Sequence, residues 1–452
     1  MDGDRDAAFA CLLRGADGIE EFVARAALAF AGDHNLSHAR ALAECVAGLS
    51  DRLPEGLRVE TQEQPFAALM AAVLERRAAA GGGDPGPGAA PAVVEVGPEF
   101  DFLAERCGLG SLWLLQVCCL ALQARRVGRH RMAVVVTARD EGIYLPEWIA
   151  HYRLAGADHI FLYSNDNGDG SDPLLEALAQ AGMITLLRNR PEPGVNPQVK
   201  AYQHAILLLD ALRDYRWVLF VDADEFLFFG DQAPGRIGRF IDEVERREDS
   251  ARISAVFMPW RWRLTDRQYS RHSIPVLAQY GHYVDRTEGK SLVRLAAVSE
   301  MCGVHLPDVP EGWLFVDGML RRMDPLRVGE GVARPYDGPV IEHFWSKSFI
   351  EYLTKMRRSE VLTLKQPSIR RGVKNFFLWT APLAAHLLKP IDREWIALVA
   401  AETEVVLRRP EVAAAYGAAV AQYRAMVDAA LGDAGLMALY LEHMNTVQPG
   451  FR

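Results

Sequence analysis

From residue 132 onward, the sequence alternates short apolar runs with stretches in which apolar residues recur at helical spacing. Strands linked by helices in this way form a parallel sheet with crossover helices, and right-handed connections leave few topologies open. We therefore predict an α/β domain of the doubly wound, nucleotide-binding kind. The predicted strands are 132–138, 159–164, 183–187 and 217–221, and the predicted helices are 144–155, 172–181 and 197–212.

The fourth predicted strand runs directly into three acids, Asp222, Asp224 and Glu225. Its five consecutive apolar residues are typical of a strand buried on both faces. Carboxylates two residues apart on an extended backbone can be brought to one side of the strand end, where oxygen ligands suit Mg²⁺ or Mn²⁺. Acidic loops also contain Asp-x-Asp by chance, but an apolar strand that ends in three acids needs a compensating cation. The motif therefore predicts a metal site that binds phosphate.

Two other predicted strands also end in polar residues. The first leads into Arg139, Asp140 and Glu141, and the second into the Asn, Asp and Gly residues of 165–172. Taken alone, the second segment is as well explained as a turn that caps the next helix. Because the carboxyl ends of parallel strands meet at one edge of the sheet, the three tips together predict a crevice for a nucleotide whose diphosphate is held by a metal.

The composition narrows the class of protein. A net charge of -9 over 452 residues argues against a nucleic-acid partner, which would need a basic surface. The six cysteines form no Cys-x-x-Cys pair, and the first residues lack a secretory pattern, so we expect a cytoplasmic protein without a zinc site. The longest nearly apolar run, 109–124, is shorter than the ~20 residues that cross a bilayer.

The chain divides into five predicted regions. They are a helical N-terminal region at 1–80, a Gly/Pro-rich linker at 81–98, a helical lead-in at 99–130, the sheet domain at 131–365 and a helical C-terminal region at 366–452. We expect the C-terminal helices to pack on the sheet domain, with docking to a membrane surface or a partner as the alternative. Past the acids we predict helices at 237–247 and 347–364, strands at 253–262, 291–298 and 339–344, and an irregular segment at 263–289.

The segments around these strand tips resemble the bacterial family-2-like and family 92 glycosyltransferases. The resemblance spans roughly residues 132–360 and rests on 134–141, 145–152, 156–160 and 217–226. It implies a GT-A fold, a mixed sheet with flanking helices, that transfers a sugar from a nucleotide-sugar donor, UDP-sugar first, with Mn²⁺ or Mg²⁺ on the diphosphate. A glycan or lipid-linked acceptor, as in polysaccharide biosynthesis, is implied as the second substrate.

The resemblance also assigns roles to residues at matching positions. Arg139 and Glu141 would face the nucleoside, Asp166 the uracil or ribose, and Asp222 and Asp224 the metal and ribose. Gln198 and Tyr202 fall on matching positions of the preceding helix.

The later part of the family pattern supplies basic residues. Lys290, His305, His343 and Lys347 stand in the matching places, and Lys355 follows about two turns after Lys347. A neutral imidazole is a good third ligand for Mn²⁺, and a lysine is a good point charge for a leaving diphosphate. We favour His343 over His305 as the ligand because it ends a predicted strand and precedes basic residues.

Direct inverting transfer needs a carboxylate that takes the proton of the acceptor hydroxyl. Asp266 is the predicted base, with Glu225 and Asp317 as alternatives. The chain departs from the family pattern at 260–267, where the family often has a Gly- and Ser-rich turn on the acceptor side, so the acceptor is not carried over. Two competing hypotheses are a metal-dependent phosphatase with Asp222 as nucleophile and a non-catalytic sugar- or nucleotide-binding protein.

Overall fold

The computed structural model describes residues 92–105, 128–265, 267–270, 275–298, 300–309, 312–330, 336–358, 369–380 and 387–446. The predicted helical region at 1–80, most of the linker, residues 106–127 of the predicted helical lead-in and Asp266 lie outside the described residues.

The core of the protein is one large mixed sheet, with strands in the order β1-β4-β3-β2-β5-β8-β7-β11-β12. The pairs from β1 to β5 are parallel, whereas β8 runs antiparallel to both β5 and β7. The predicted parallel arrangement of the first four strands is therefore confirmed. The strands are β1 Val93–Val96, β2 His130–Ala138, β3 His159–Ser164, β4 Thr185–Asn189, β5 Tyr215–Asp222, β6 Glu225–Phe228, β7 Ile253–Arg263, β8 His282–Arg294, β9 Met301–Cys302, β10 Leu306–Pro307, β11 Leu314–Asp317, β12 Arg322–Met323, β13 Val340–His343 and β14 Leu387–Leu388.

The register of the central strands aligns their carboxyl ends. Val134 of β2 lies opposite Leu219 of β5, both with no exposed surface, and Thr137 lies opposite Asp222. Continuous apolar runs of this kind are buried on both faces, which fixes the pairing of β2 with β5. The tip of β5 consequently opens at the same edge as the tip of β2. Strand β13 joins this edge by pairing with both β6 and β7.

Helices cover the sheet. They are α1 Phe102–Glu105, α2 Leu145–Ala155, α3 Asp172–Gln180, α4 Pro197–Leu208, α5 Arg236–Glu245, α6 Phe349–Arg358, α7 Ile369–Trp379, α8 Arg393–Val406, α9 Pro410–Gly432 and α10 Ala434–Thr446. Helix α2 ends at Gly156, whose φ of 105° suits a left-handed helix cap. A Cβ atom at this position would lie only 3.0 Å from the Cα of Gly235, so the glycine also permits this close approach. None of the described helices has the length and apolarity that a bilayer span requires.

The C-terminal helices pack on the sheet domain, as predicted. The indole N–H of Trp395 in α8 donates to Nδ1 of His151 in α2 at 3.2 Å, and both side chains are buried. Gln422 of α9 donates to the carbonyl of Gly168 at 3.1 Å, in the loop that precedes α3. These contacts tie the C-terminal helices to elements that flank the strand tips.

Several boundaries differ from the prediction. The predicted strand 291–298 ends at Arg294, and the predicted helix 197–212 ends at Leu208, each followed by a short 3-10 helix. The segment Val93–Val96 was placed in the linker but is a strand that pairs with β4. These four residues are rich in valine and contain no Gly or Pro, and backbone hydrogen bonds to the buried strand β4 order them. Strand β8 begins at His282, inside the stretch predicted as irregular, since its Arg and Tyr side chains pack across β7 rather than forming an apolar pattern.

Candidate functional site

A tight turn between β5 and β6 presents Asp222 and Asp224 at the sheet edge. Glu225 holds this turn together, because one of its carboxylate oxygens accepts from the backbone N–H of Asp222 at 2.9 Å and the other from the indole N–H of Trp260 at 2.8 Å. The carbonyl of Glu225 accepts from the indole of Trp148 at 2.8 Å. Since Glu225 has no exposed surface, its geometry suits a structural role in the turn and not contact with an acceptor.

Asp222 is the accessible acid of the turn, with 30% of its side chain exposed. Gln198 of α4 donates to one carboxylate oxygen, and the hydroxyl of Tyr202 lies 3.4 Å from the same atom. Lys290 of β8 lies 3.3 Å from the other oxygen and 3.7 Å from Glu225. The structure therefore brings together four residues that the sequence assigned to one site.

Asp224 is buried, with 3% of its side chain exposed, and is surrounded by cations. Lys355 donates a hydrogen bond to it, the Nζ atom of Lys347 lies 3.8 Å away, and Nε2 of His343 lies 3.4 Å from the other oxygen. Burial would raise the pKa of Asp224, but these three groups outweigh burial and hold the pKa well below its usual range. Asp224 is therefore an anion at neutral pH.

Lys347 connects this turn to the tip of β2. Its Nζ atom lies 3.3 Å from Glu141 and 4.1 Å from the ring centroid of Tyr144. The hydroxyl of Tyr144 donates to Glu351 of α6. Burial lowers the pKa of Lys347. The first strand tip and the start of α6 thus share one set of polar contacts with Asp224.

The pKa values of Lys290 and Lys355 shift in the opposite direction to that of Lys347. Burial alone would lower the pKa of Lys290 and of Lys355, but Asp222 and Glu225 beside Lys290, and Asp224 beside Lys355, raise both values above that of a free lysine. Burial raises the pKa of Glu225. The cluster consequently contains permanent cations at its edge, where an incoming phosphate would compete with the carboxylates for them.

His343 is the residue that best matches a metal ligand. Neither of its buried ring nitrogens makes a hydrogen bond with the described residues. Its Nε2 atom faces Asp224 at 3.4 Å, close to the ~3 Å that separates two adjacent ligands of an octahedral cation with bonds of about 2.1 Å. Burial lowers the pKa of His343, which keeps the imidazole neutral and able to bind a metal.

Within the described part of the chain, Asp224 and His343 are the two side chains placed as adjacent metal ligands. Across the described ranges, no group of three or more His, Cys, Asp or Glu side chains has metal-binding geometry. Asp222 is directed to Gln198 and Lys290 instead. The donors present therefore offer two adjacent ligand positions, and metal binding stays a prediction.

Of the other candidates, His305 and Asp317 are held by contacts of their own, whereas Asp166 and Arg139 lie at the strand tips. His305 is bonded through Nδ1 to the carbonyl of Gly289 at 3.2 Å, so that His343 and not His305 contacts Asp224. The carboxylate of Asp317 accepts from Arg321 and from the backbone of its own turn, after β11, which gives it a structural function and removes it as a candidate base. Asp166 is exposed in the loop after β3, and Arg139 follows β2 at the same edge.

Sequence reasoning missed two residues that shape the site. Trp260 of β7 contacts the ring of His343 at 4.9 Å and donates to Glu225. Glu351 accepts from Tyr144 and, at 2.5 Å, from the hydroxyl of Ser348. The alternation of Trp260, Arg261 and Trp262 on a predicted strand was the available signal, since residues two apart share a face.

The sequence model of glycosyltransferase family 92 matches residues 139–366. A family 92 glycosyltransferase protein of Ricinus communis is 30% identical over 97 residues, which cover 22% of this chain and 17% of that protein. One of Oryza sativa subsp. japonica is 30% identical over 100 residues, covering 22% and 16%. One of Arabidopsis thaliana is 26% identical over 101 residues, covering 22% and 17%. The matched region spans less than a fifth of these relatives.

Among solved structures, S. aureus TarS matches with 12% identity and a TM-score of 0.25, over 66% of this chain and 55% of that one. A TM-score this low supports no conclusion about the fold. The family match, by contrast, spans half of the chain and includes the described site residues from Arg139 to Lys355. The protein therefore belongs to glycosyltransferase family 92.

Proposed function

We propose that this protein transfers a sugar from a nucleoside-diphosphate donor, with UDP-sugar as the first candidate, to a hydroxyl of a glycan or lipid-linked acceptor. The observation that supports this most is the cluster at the tip of β5, where Asp222 and Asp224 meet Lys290, Lys347 and Lys355. Three lysines around two carboxylates at a sheet edge suit a ligand that carries both a diphosphate and a metal.

The nucleoside would lie over the tips of β2 and β3. Glu141 is fixed there by Lys347, and the loop after β3 is tied to β2 by the backbone N–H of Asp140, which donates to the side chain of Asn167 at 2.8 Å. Arg139 and Asp166 lie at the same edge. This arrangement supports a GT-A-like division of the sheet into a nucleoside side and an acceptor side.

The diphosphate would lie between the carboxylate turn and the lysines. Mn²⁺ or Mg²⁺, held by Asp224 and His343 with Asp222 nearby, would supply charge neutralisation to the leaving group. Lys347 and Lys355 would exchange part of their contact with Asp224 for the phosphate oxygens. With Asp266 as the base that takes the proton of the acceptor hydroxyl, the acceptor oxygen would displace the nucleoside diphosphate from the sugar in one step, with inversion.

The test uses the purified chain and a panel of UDP-, GDP- and dTDP-sugars with Mn²⁺, Mg²⁺ or EDTA. We expect one donor to raise the melting temperature only with the metal, since a ligand that binds the native state stabilises it by mass action. Release of the nucleoside diphosphate with an acceptor mixture, and not of inorganic phosphate, would separate transfer from phosphatase activity. Donor binding without any release would support the non-catalytic alternative.

A further inference from the structure

A row of side chains leads away from the carboxylate turn along β7 and β8, on the side of β5 opposite the strands to which the nucleoside is assigned. Strand β8 separates β5 from β7, whereas β2 and β3 lie on the other side of β5. Trp260 and Trp262 alternate along β7 and have ring centroids 6.4 Å apart. The row therefore begins beside His343 and extends away from the expected nucleoside.

Trp262 is the centre of this second surface. Its ring centroid lies 5.1 Å from that of Trp345, with the two planes tilted by 41°, and the guanidinium of Arg286 lies 4.1 Å from its centroid. Arg286 also donates to Glu288 at 3.1 Å. Trp262, Trp345, Arg286 and Glu288 are all partly exposed, so a ligand can reach them. We call these four residues the tryptophan wall.

Unpartnered polar groups border the wall. The indole N–H of Trp345 and the hydroxyl of Ser346 are buried and make no hydrogen bond with the described part of the chain. Ser346 is 1% exposed. Buried polar groups without partners are uncommon, and each needs an explanation such as a ligand.

The chemistry of the wall fits a sugar chain. Indole rings offer an apolar face with a polar edge, which matches the apolar face and equatorial hydroxyls of a pyranose. Arg286 and Glu288 add a donor and an acceptor for hydroxyls with no net charge. Arg286 and Glu288 stand two residues apart on β8, which places them about 7 Å apart along the strand, so the wall is long enough to contact more than one sugar of a chain.

We propose that the tryptophan wall is the acceptor subsite and that it binds a neutral oligosaccharide whose terminal sugar lies beside His343. The name acceptor subsite rests on the proposed glycosyl transfer, but binding of the saccharide can be measured whether or not the protein transfers a sugar. The nucleoside would lie over β2 and β3 and the saccharide over β7 and β8, with the reacting groups between them at the tip of β5.

The test measures binding of cello-, xylo-, manno- and galacto-tetraose by saturation-transfer NMR and calorimetry, with UDP and Mn²⁺ titrated separately. We expect one tetraose to bind, and Trp262→Ala and Trp345→Ala each to weaken that binding by about tenfold. Affinity for UDP with Mn²⁺ should stay within about twofold, because the wall lies outside the nucleotide contacts. Trp262→Phe and Trp345→Phe should retain most of the saccharide affinity.

Trp313→Ala is the matched control. Trp313 precedes β11 at the start of β7, about 30 Å along the strand from Trp262. Failure of the wild type to bind any tetraose, or equal binding by both alanine variants, would overturn the inference. If the protein binds a saccharide through the two tryptophans but binds no nucleotide, the saccharide site is supported and the proposed function is rejected.

Discussion

Lys355 donates a hydrogen bond to the carboxylate of Asp224, although 131 positions separate the two residues in the sequence. Lys347 reaches the same carboxylate from the start of α6, and His343 reaches it from the end of β13. The three groups follow one another in a short segment that docks on the β5 tip through the pairing of β13 with β6 and β7. The site therefore forms only when the late part of the domain has folded onto the early part.

Replacing Asp224 with Asn should remove most metal-dependent turnover of the donor. The amide keeps the shape of the side chain but removes the charge that binds the cation and offsets two lysines. We expect a fall of about 10²- to 10³-fold in nucleoside diphosphate release, the usual scale for losing one electrostatic contact to a leaving group. Asp222→Ala and Asp224→Ala should have similar effects.

Asp242→Asn is the control for these variants, because Asp242 pairs with Arg131 on a partly exposed surface of α5. Its turnover should equal that of the wild type. Full activity in both the Asp222 and the Asp224 variants would show that the turn binds no catalytic metal.

Replacing His343 with Gln should weaken Mn²⁺ binding about tenfold or more, because it removes one of the two adjacent ligand positions that Asp224 and His343 offer. The affinity is measured from the EPR signal of free Mn²⁺ in the presence of UDP. His305→Gln is the comparison, because His305 is held by the carbonyl of Gly289 and should leave Mn²⁺ affinity nearly unchanged. The reverse order of the two effects would transfer the metal-binding role to His305.

The tips of β2, β3 and β5 could be predicted because each is marked locally by an apolar run followed by polar residues. Trp260 could not be assigned from sequence, since its contact with Glu225 depends on β13 and β8 bringing β7 alongside the turn. Strand β1 was missed for a related reason: its four residues are ordered by β4 and by Lys200, and not by their own pattern. The position of Trp260 and the existence of β1 thus depend on pairing between distant strands, which the local pattern of apolar residues does not reveal.

Lys200→Met should destabilise the protein by about 3–5 kcal/mol, because it leaves a mostly buried carboxylate without its cation. The fully buried ammonium of Lys200 donates to Asp101 at 2.6 Å and to the carbonyl of Gly97 at 2.8 Å, which joins the β1 segment to α4. Urea unfolding would measure the loss. The double variant Lys200→Met/Asp101→Asn should recover part of it, and equal stability of all three proteins would contradict a role for the pair.

The same variant should weaken the donor site indirectly. Helix α4 carries Lys200 together with Gln198, which donates to Asp222. We expect Lys200→Met to raise the donor KM at temperatures well below its melting point, while Lys374→Met, at an exposed position of α7, leaves it unchanged. An unaltered donor KM would mean that the β1 segment only stabilises the fold.

His151 should make the stability fall in acid. Burial lowers the pKa of His151 from 6.5 to about 3. The carbonyl of Leu227, 3.0 Å from Nε2, favours the protonated ring, but burial outweighs it. Below pH 6.5 the unfolded chain binds a proton that the native protein does not, so the free energy of unfolding is constant above that pH and decreases below it. Between pH 7 and 5 this one group should cost about 2 kcal/mol.

The measurement compares wild type with His151→Gln by urea unfolding at pH 7 and pH 5. Glutamine can still donate to Leu227 and accept from Trp395, but it takes up no proton, so the variant should lose about 2 kcal/mol less than the wild type over this interval. Parallel losses in wild type and His151→Gln would mean that His151 takes up its proton as readily in the native protein as in the unfolded chain.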